Sequence, residues 1–173
     1  GRDFAFAAGL VLDAEIVHRV DHARKSARWN DAVFLFHGLR SFGTLRRSQE
    51  EPSLVIETPD GPQDAYWACL ACSDPFTYFR SRPLRVVPDA GKADGLDVVA
   101  AKQVRFWRTL RWLTQALSNG HHVRHPECIH LTRRSEVTIR TRRPVPLQTD
   151  GEYLGEITRL RAFALPQALP VWG

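Results

Sequence analysis

The chain has 173 residues, 43% hydrophobic and 25% charged, with a formal net charge of +5. That balance is ordinary for a globular domain and excludes collagen-like, low-complexity and disulfide-scaffold classes. No stretch approaches the roughly 18 uncharged apolar residues of a membrane-spanning helix, and no charged-then-apolar opening reads as a secretion signal.

In chain order, Phe4 to Leu12 is apolar and strand-like, with Gly9 marking a bulge or a close approach. Asp13 is placed to cap a helix from Ala14, with Ile16, Val17 and Val20 as its apolar stripe. After a polar stretch over 21–30, the spacing of Val33, Phe34, Phe36 and Leu39 predicts a second helix over Ala32–Phe42. From residue 53 the pattern turns to strands. Leu54–Glu57 runs into the hairpin signal Asp60-Gly61, and the apolar run 65–72 answers it. Leu84–Val87 is a short strand, and Asp94-Gly95 turns into another over Leu96–Ala100. Ala101–Leu117 reads as a helix closed by Asn119-Gly120. Strands follow at Ile129–Leu131, Val137–Arg140 and Val145–Gln148, then an Asp150-Gly151 turn, then Leu160–Leu165 and Leu169–Trp172. Many short strands with regular turns imply a mainly β fold: one domain, an antiparallel β-sandwich or barrel-like sheet with a few peripheral helices.

The basic residues are 21 Arg and only 3 Lys. Residues 101–143 carry ten of these against Glu127 and Glu136, a formal +8, while the remainder sums to −3. A positive field concentrated in one segment turns that segment toward any anionic partner. The chain starts at Gly1 and contains no methionine, as expected of a piece of a longer protein. Its three cysteines, Cys69, Cys72 and Cys128, are an odd count without a secretion signal, which points to a reducing compartment. Cys69-Leu-Ala-Cys72 lies in a strand-like run, where residues three apart face opposite ways, so both thiols are expected in core positions. His121, His122, His125 and His130 match no zinc-ligand spacing.

Four constellations bear chemistry. In the segment Pro88–Asp97, carboxylates at Asp89, Asp94 and Asp97 alternate with glycines, which suits either a hard cation or a solvated turn. In Asp150-Gly151-Glu152 a rigid hairpin projects a carboxylate able to accept a hydroxyl proton, or merely an exposed hairpin glutamate. The helix 101–117 combines Lys102, Arg105, Arg108 and Arg111 with tryptophans at apolar positions. Such a helix suits an anionic membrane surface or a cover for the sheet. Asp13 is either a cap or a contact for a substrate hydroxyl. No nucleic-acid-binding module is present.

The order of these pieces resembles the C-terminal domain of the diacylglycerol kinase and sphingosine kinase-like bacterial lipid kinases. The resemblance rests on Gly9-Leu10-Val11-Leu12-Asp13-Ala14-Glu15, on Pro88-Asp89 through Asp94-Gly95-Leu96-Asp97-Val98, on the basic helix followed by His122-Val123-Arg124-His125-Pro126, and on Pro144 through Asp150-Gly151-Glu152. It covers essentially the whole chain. It implies a β-sandwich domain that binds lipid and works with an N-terminal nucleotide-binding domain, moving the γ-phosphoryl group of ATP to a hydroxyl of diacylglycerol or a related lipid. Under it, Glu152 is the base, Asp13 lies near the substrate headgroup, and Asp89, Asp94 and the Leu96 carbonyl hold a structural magnesium. The family's Gly-Gly-Asp-Gly-Thr nucleotide signature is nowhere in this sequence, so the chain is expected to be inactive alone. Ala7 stands where an asparagine is common, and residues 71–79 depart from the family pattern. The expected partners are the lipid substrate, an anionic membrane surface and the nucleotide-binding domain, with no nucleic acid and a homodimer left open. The expected location is cytoplasmic and peripherally membrane-associated. The alternative is a non-catalytic β-rich module that binds an anionic membrane or a protein partner.

Overall fold

A computed structural model describes residues 1–24, 51–79, 81–92 and 94–166. The helix expected at 32–42 and the strand expected at 169–172 lie outside the described residues. The strands are β1 (Ala7–Leu10), β2 (Leu54–Thr58), β3 (Gly61–Ala65), β4 (Trp67–Ala71), β5 (Thr77–Phe79), β6 (Arg82–Leu84), β7 (Leu96–Ala101), β8 (Cys128–Arg134), β9 (Glu136–Thr149) and β10 (Glu152–Phe163). Two α-helices, α1 (Leu12–Arg24) and α2 (Phe106–Ala116), and a 3₁₀ turn at His121–Arg124 complete the described elements.

Among the described residues every strand pairing is antiparallel, and the main sheet runs β3-β2-β9-β1-β4-β7-β8, with β10 on β9 and β5-β6 a separate hairpin. The long strand β9 joins the two halves. Its first part pairs with β2 around Ile139, and its last part pairs with β1 from Leu147 to Thr149. Strand alternation sorts the apolar side chains into two cores. Ala8, Leu10, Leu70, Val98, Ile129 and Ile139 fill the enclosed side. Ala7, Cys69, Ala71, Val99, Ala101 and Cys128 fill the other side, where Trp112 of α2 covers them. The mainly β, antiparallel expectation therefore stands, with the sheet curled on itself as a sandwich.

Several boundaries differ from expectation, each for a physical reason. The strand that answers β2 is 61–65, and 67–71 instead pairs with β1 and β7. Strand β3 is a polar edge with Pro62 and Asp64 exposed, so it carries no apolar signal. Residues 84–87 are not one strand: β6 takes only Leu84 and pairs with β5. The helix expected from Ala101 starts at Phe106, because β7 runs to Ala101 with all six residues buried. Lys102 and Arg105 therefore precede the helix, and the Lys102 N–H donates to the Glu127 carbonyl at 2.9 Å. The strands expected at 137–140 and 145–148 are one continuous β9 despite Pro144 and Pro146. Between its β2 and β1 pairings that strand is open on one side, which tolerates residues without an N–H.

Candidate functional site

The junction of β1 with α1 meets the β9–β10 hairpin. Val11 between strand and helix has φ 68°, a left-handed conformation that costs a β-branched residue about 1–3 kcal/mol. Two bonds hold it there. Its N–H donates to the Pro146 carbonyl at 3.0 Å, and its carbonyl accepts the Glu15 N–H at 2.9 Å. The helix consequently starts at Leu12, and Asp13 is not a cap before the helix but a first-turn residue within it. Its carboxylate folds back over Gly9. A Cβ at position 9 would lie 2.2 Å from Asp13 Oδ2 and 2.6 Å from Asp13 Cβ, so this approach requires glycine.

Gln148, 2% exposed, lies opposite Gly9 on β9. Its Nε2 donates to Asp13 Oδ2, and its Oε1 accepts the Gly151 N–H at 2.8 Å. One side-chain amide thus ties the first turn of α1 to the hairpin turn. Burial pushes the Asp13 carboxyl up to about 6, against the opposing pull of the Gln148 hydrogen bond.

The hairpin turn has Asp150 at φ 50° and Gly151 at φ 81°, the left-handed pair of a two-residue type I′ connection. The Asp150 carboxylate also accepts the backbone N–H groups of Ala5, Phe6 and Ala7 at 2.8, 2.9 and 2.9 Å, charge-assisted bonds that clamp the N-terminal segment to the hairpin. Glu152 opens β10 with its side chain 63% exposed and paired with the Arg2 guanidinium. Tyr153 packs on His18 of α1, ring centroids 4.3 Å apart. Tyr153 is the cross-strand partner of Gln148, whereas Glu152 is that of Thr149. By alternation, Glu152 leaves the sheet on the face opposite Gln148 and Asp13. The two candidate carboxylates are joined through Gln148 and Gly151 rather than facing each other.

The Asp13 shift has a stability consequence. A carboxyl at about 6 when folded and 3.8 when unfolded binds its proton more readily in the folded chain. Its contribution is present in full below about pH 4 and is lost as pH rises through 6, about 3 kcal/mol in all. We expect Asp13→Asn, which keeps the Gln148 contact without the charge, to be more stable than the parent above pH 6 and to lose that advantage toward pH 4. Parallel melting curves across this range measure it, and a constant difference would refute the burial of a charged Asp13.

The candidate cation loop is organised differently. Asp89 is exposed with the Lys92 ammonium on its carboxylate, and Asp94 is exposed. Leu96 is buried and paired with Arg134 in the sheet. Asp97, 5% exposed, accepts the Arg133 N–H at 2.7 Å and so stabilises the irregularity between Leu96 and Val98, where Arg133 has φ 53°. Among the described residues no three His, Cys, Asp or Glu side chains come together in a way that could hold a metal ion. A cation at Asp89 would compete with the exposed Lys92 ammonium for that carboxylate.

The cysteines are free and diverge as alternation requires: Cys69 packs in the core under α2, Cys72 against the enclosed core. Burial pushes the Cys69 thiol up, and takes that of Cys128 to about 12, which leaves both unreactive. His122 is buried and donates from Nε2 to the Val86 carbonyl at 2.9 Å, with its pKa lowered by burial. It and His125 each lie 6.1 Å from the Trp112 ring.

The +8 segment is not one field. Arg108 pairs with Glu127, Arg140 with Glu57 and Arg142 with Asp64, the last two acids coming from β2 and β3. Arg105, just before α2, and Arg111, within it, are exposed. Among the described residues no helix is long and apolar enough to cross a membrane.

Several contributors escape the sequence. Gln148 is one: Val145 and Leu147 announce the enclosed face, but nothing says that the opposite face carries α1 and the Asp13 carboxylate. Val11, the Asp150 clamp and the His18–Tyr153 contact are others, since each depends on a partner remote in sequence.

Comparison with known proteins places the fold. Residues 7–173 match the family described as the YegS C-terminal NAD kinase beta sandwich-like domain. Two solved structures described as putative diacylglycerol kinases from Bacillus anthracis str. Sterne resemble the chain, one at 18% identity with a TM-score of 0.53, the other at 17% with 0.54. They cover 94% and 96% of this chain, which in turn covers 50% and 54% of them, so it spans about half their length. Among curated proteins none matches it.

Proposed function

The chain belongs to the YegS C-terminal NAD kinase beta sandwich-like family, and from that premise we propose that it is the lipid-binding, proton-accepting half of an ATP-dependent lipid kinase. The observation that carries this reading is the tie between Asp13, Gln148 and the Gly151 turn. A carboxylate kept half-buried at a strained strand–helix junction lowers stability near neutral pH, which is the pattern of a site retained for binding. Asp13 offers a hydrogen-bonding group to a polar lipid headgroup. Glu152 takes the hydroxyl proton as the hydroxyl oxygen bonds to the γ-phosphorus, and the bond from that phosphorus to the ADP oxygen breaks. ADP leaves with the electron pair, and the proton stays on the Glu152 carboxyl. The Arg2 guanidinium must first move aside, and pairs this exposed are weak.

ATP requires a nucleotide-binding domain, with phosphoryl transfer resting on positioning and charge stabilisation. Magnesium would accompany the nucleotide. The carboxylates of Asp89 and Asp94 and the Leu96 carbonyl would be the groups to hold one in this chain, with Lys92 competing at Asp89, and no step is assigned to it. The chain alone is expected to be inactive. Joined to a nucleotide-binding domain carrying Gly-Gly-Asp-Gly-Thr, it should phosphorylate a lipid hydroxyl. Glu152→Gln should lower that turnover by about 10²–10⁴-fold with unchanged melting, as loss of a general base does. Full turnover in this variant would remove Glu152 from the chemistry.

A further inference from the structure

Arg2 is the one basic side chain in residues 1–17, and residues 144–158 around the β9–β10 hairpin contain none. The same two stretches hold Asp3, Asp13, Glu15, Asp150, Glu152 and Glu156. Backbone contacts carry this lone cation to the hairpin. The Asp150 carboxylate accepts the N–H groups of Ala5, Phe6 and Ala7, and the Asp150 N–H donates back to the Ala7 carbonyl at 2.8 Å. On the other side, the Phe6 carbonyl accepts the Cys72 N–H at 2.8 Å, and the Phe6 ring packs on Phe76 with centroids 5.2 Å apart. Residues 5–7 are therefore fixed between the hairpin turn and the segment 72–76. Arg2 lies three residues upstream of this clamp, and its guanidinium rests on Glu152, two residues past Asp150. A pair this exposed adds little to stability, so the arrangement is better explained by what a cation beside the candidate base can do.

We infer that Arg2 is a catalytic residue of the phosphoryl transfer: it leaves Glu152 when the substrates arrive and bonds the oxygens of the transferring γ-phosphoryl group. The inference rests on the proposed activity and adds a protein cation to it. The chemistry itself sets the reach. A base takes a proton from a hydroxyl oxygen about 2.6–3.2 Å away, and that oxygen attacks a phosphorus about 3–3.5 Å from it. The γ-phosphoryl group therefore comes within roughly 6 Å of the Glu152 carboxylate, a gap that the long side chain of an arginine bonded to that carboxylate crosses by rotating. Charge demands the same move. Glu152, with the Asp150 carboxylate two residues before it, repels an incoming triphosphate unless a cation stands between them. The planar fork of arginine fits phosphate as well as carboxylate, so one partner replaces the other without loss of hydrogen bonds. As the hydroxyl oxygen bonds to the γ-phosphorus and the bond to the ADP oxygen breaks, Arg2 donates its N–H groups to the γ-phosphoryl oxygens and remains a cation. The hydroxyl proton passes to the Glu152 carboxylate, which that exchange has freed.

The test is lipid phosphorylation by the chain joined to a nucleotide-binding domain, comparing the parent with Arg2→Ala and Arg2→Lys. Arg2→Ala should lower kcat at least about 10²-fold, as removal of one donor to developing charge does. Its KM for the lipid should stay near the parental value, because the contact is made in the transition state. Its melting temperature should also stay parental, because the pair is exposed. Arg2→Lys, which keeps the charge without the fork, should fall between the two. Guanidinium ion, added below denaturing concentration, should restore part of the turnover of Arg2→Ala and leave the parent unchanged. A role confined to holding the N-terminal segment on the hairpin gives no such rescue. Parent-like kcat in Arg2→Ala, with the parent active, overturns the inference and leaves the proposed activity standing. Turnover above the parent also overturns it, and makes the Arg2–Glu152 pair a brake on the base. So does a loss that neither guanidinium nor Arg2→Lys relieves, which makes the role structural. No phosphorylation by the parent removes the proposed activity and this inference together.

Discussion

Replacing Gln148 with leucine destabilises the chain by about 3 kcal/mol, although the volume is nearly kept. Leucine leaves the Gly151 N–H without its acceptor and the Asp13 carboxylate without its donor. An unsatisfied buried polar group costs about 1–3 kcal/mol, and the two losses fall on neighbouring groups. For a domain of this size that corresponds to a melting temperature lower by about 6–12 °C. Gln148→Glu separates the two roles. It can still accept from Gly151, but it brings a second carboxylate to Asp13, so the pair holds a shared proton at acid pH and repels at neutral pH. This variant should be near parental stability at pH 4–5 and clearly weaker at pH 8. A change below about 1 kcal/mol in Gln148→Leu would mean that the amide bridges nothing of consequence.

The second large effect is at Gly9. The smallest possible addition, Gly9→Ala, puts a carbon 2.2 Å from Asp13 Oδ2 and 2.6 Å from Asp13 Cβ. A carboxylate tip can swing away, but a Cβ moves only with its helix. The first turn of α1 must lift, which costs about 1–3 kcal/mol as overpacking and more as the Gln148 bond lengthens. The total should be about 2–4 kcal/mol by denaturant unfolding. Truncating Asp13 tests the cause. In a cycle of Gly9→Ala with Asp13→Ala, the double variant should recover roughly 1 kcal/mol or more relative to additivity. Strict additivity would place the clash elsewhere.

These two residues show where the sequence is legible. Gly9 within an apolar strand announces a close approach, and Asp13 four residues on announces a junction carboxylate, but neither names the other as partner. Asp60-Gly61 and Asp150-Gly151 both mark hairpins that form: Asp150-Gly151 is the two-residue left-handed turn itself, whereas at the first hairpin only Gly61, the opening residue of β3, takes a positive φ. The edge strand β3 was hidden by its polar Pro62-Gln63-Asp64, which an exposed edge permits. The uninterrupted β9 was hidden by two prolines, Pro146 paired only with β10 and Pro144 at the irregularity in the β9–β10 register. Leu96–Ala100 reads as a strand, but the boundary with the helix is set too early, at Ala101, because a strand buried on both faces lacks the alternation that would mark its end. The cation loop illustrates the opposite difficulty. Asp97 serves the backbone of Arg133, and Asp89 serves Lys92. Carboxylates in a glycine-bearing segment satisfy turns and irregular strand pairings as readily as metals. Gln148 is the residue that only the folded chain reveals, because its two partners come from a helix and a turn 135 and 3 residues away.

The most direct test is transfer of labelled γ-phosphate from ATP to diacylglycerol by the chain joined to a nucleotide-binding domain, with Glu152→Gln alongside. The account predicts phosphorylated lipid from the parent, a loss of about 10²-fold or more in the variant at equal stability, and none from the chain alone. Phosphorylation of no lipid hydroxyl by the joined protein, or equal turnover by parent and variant, would contradict it.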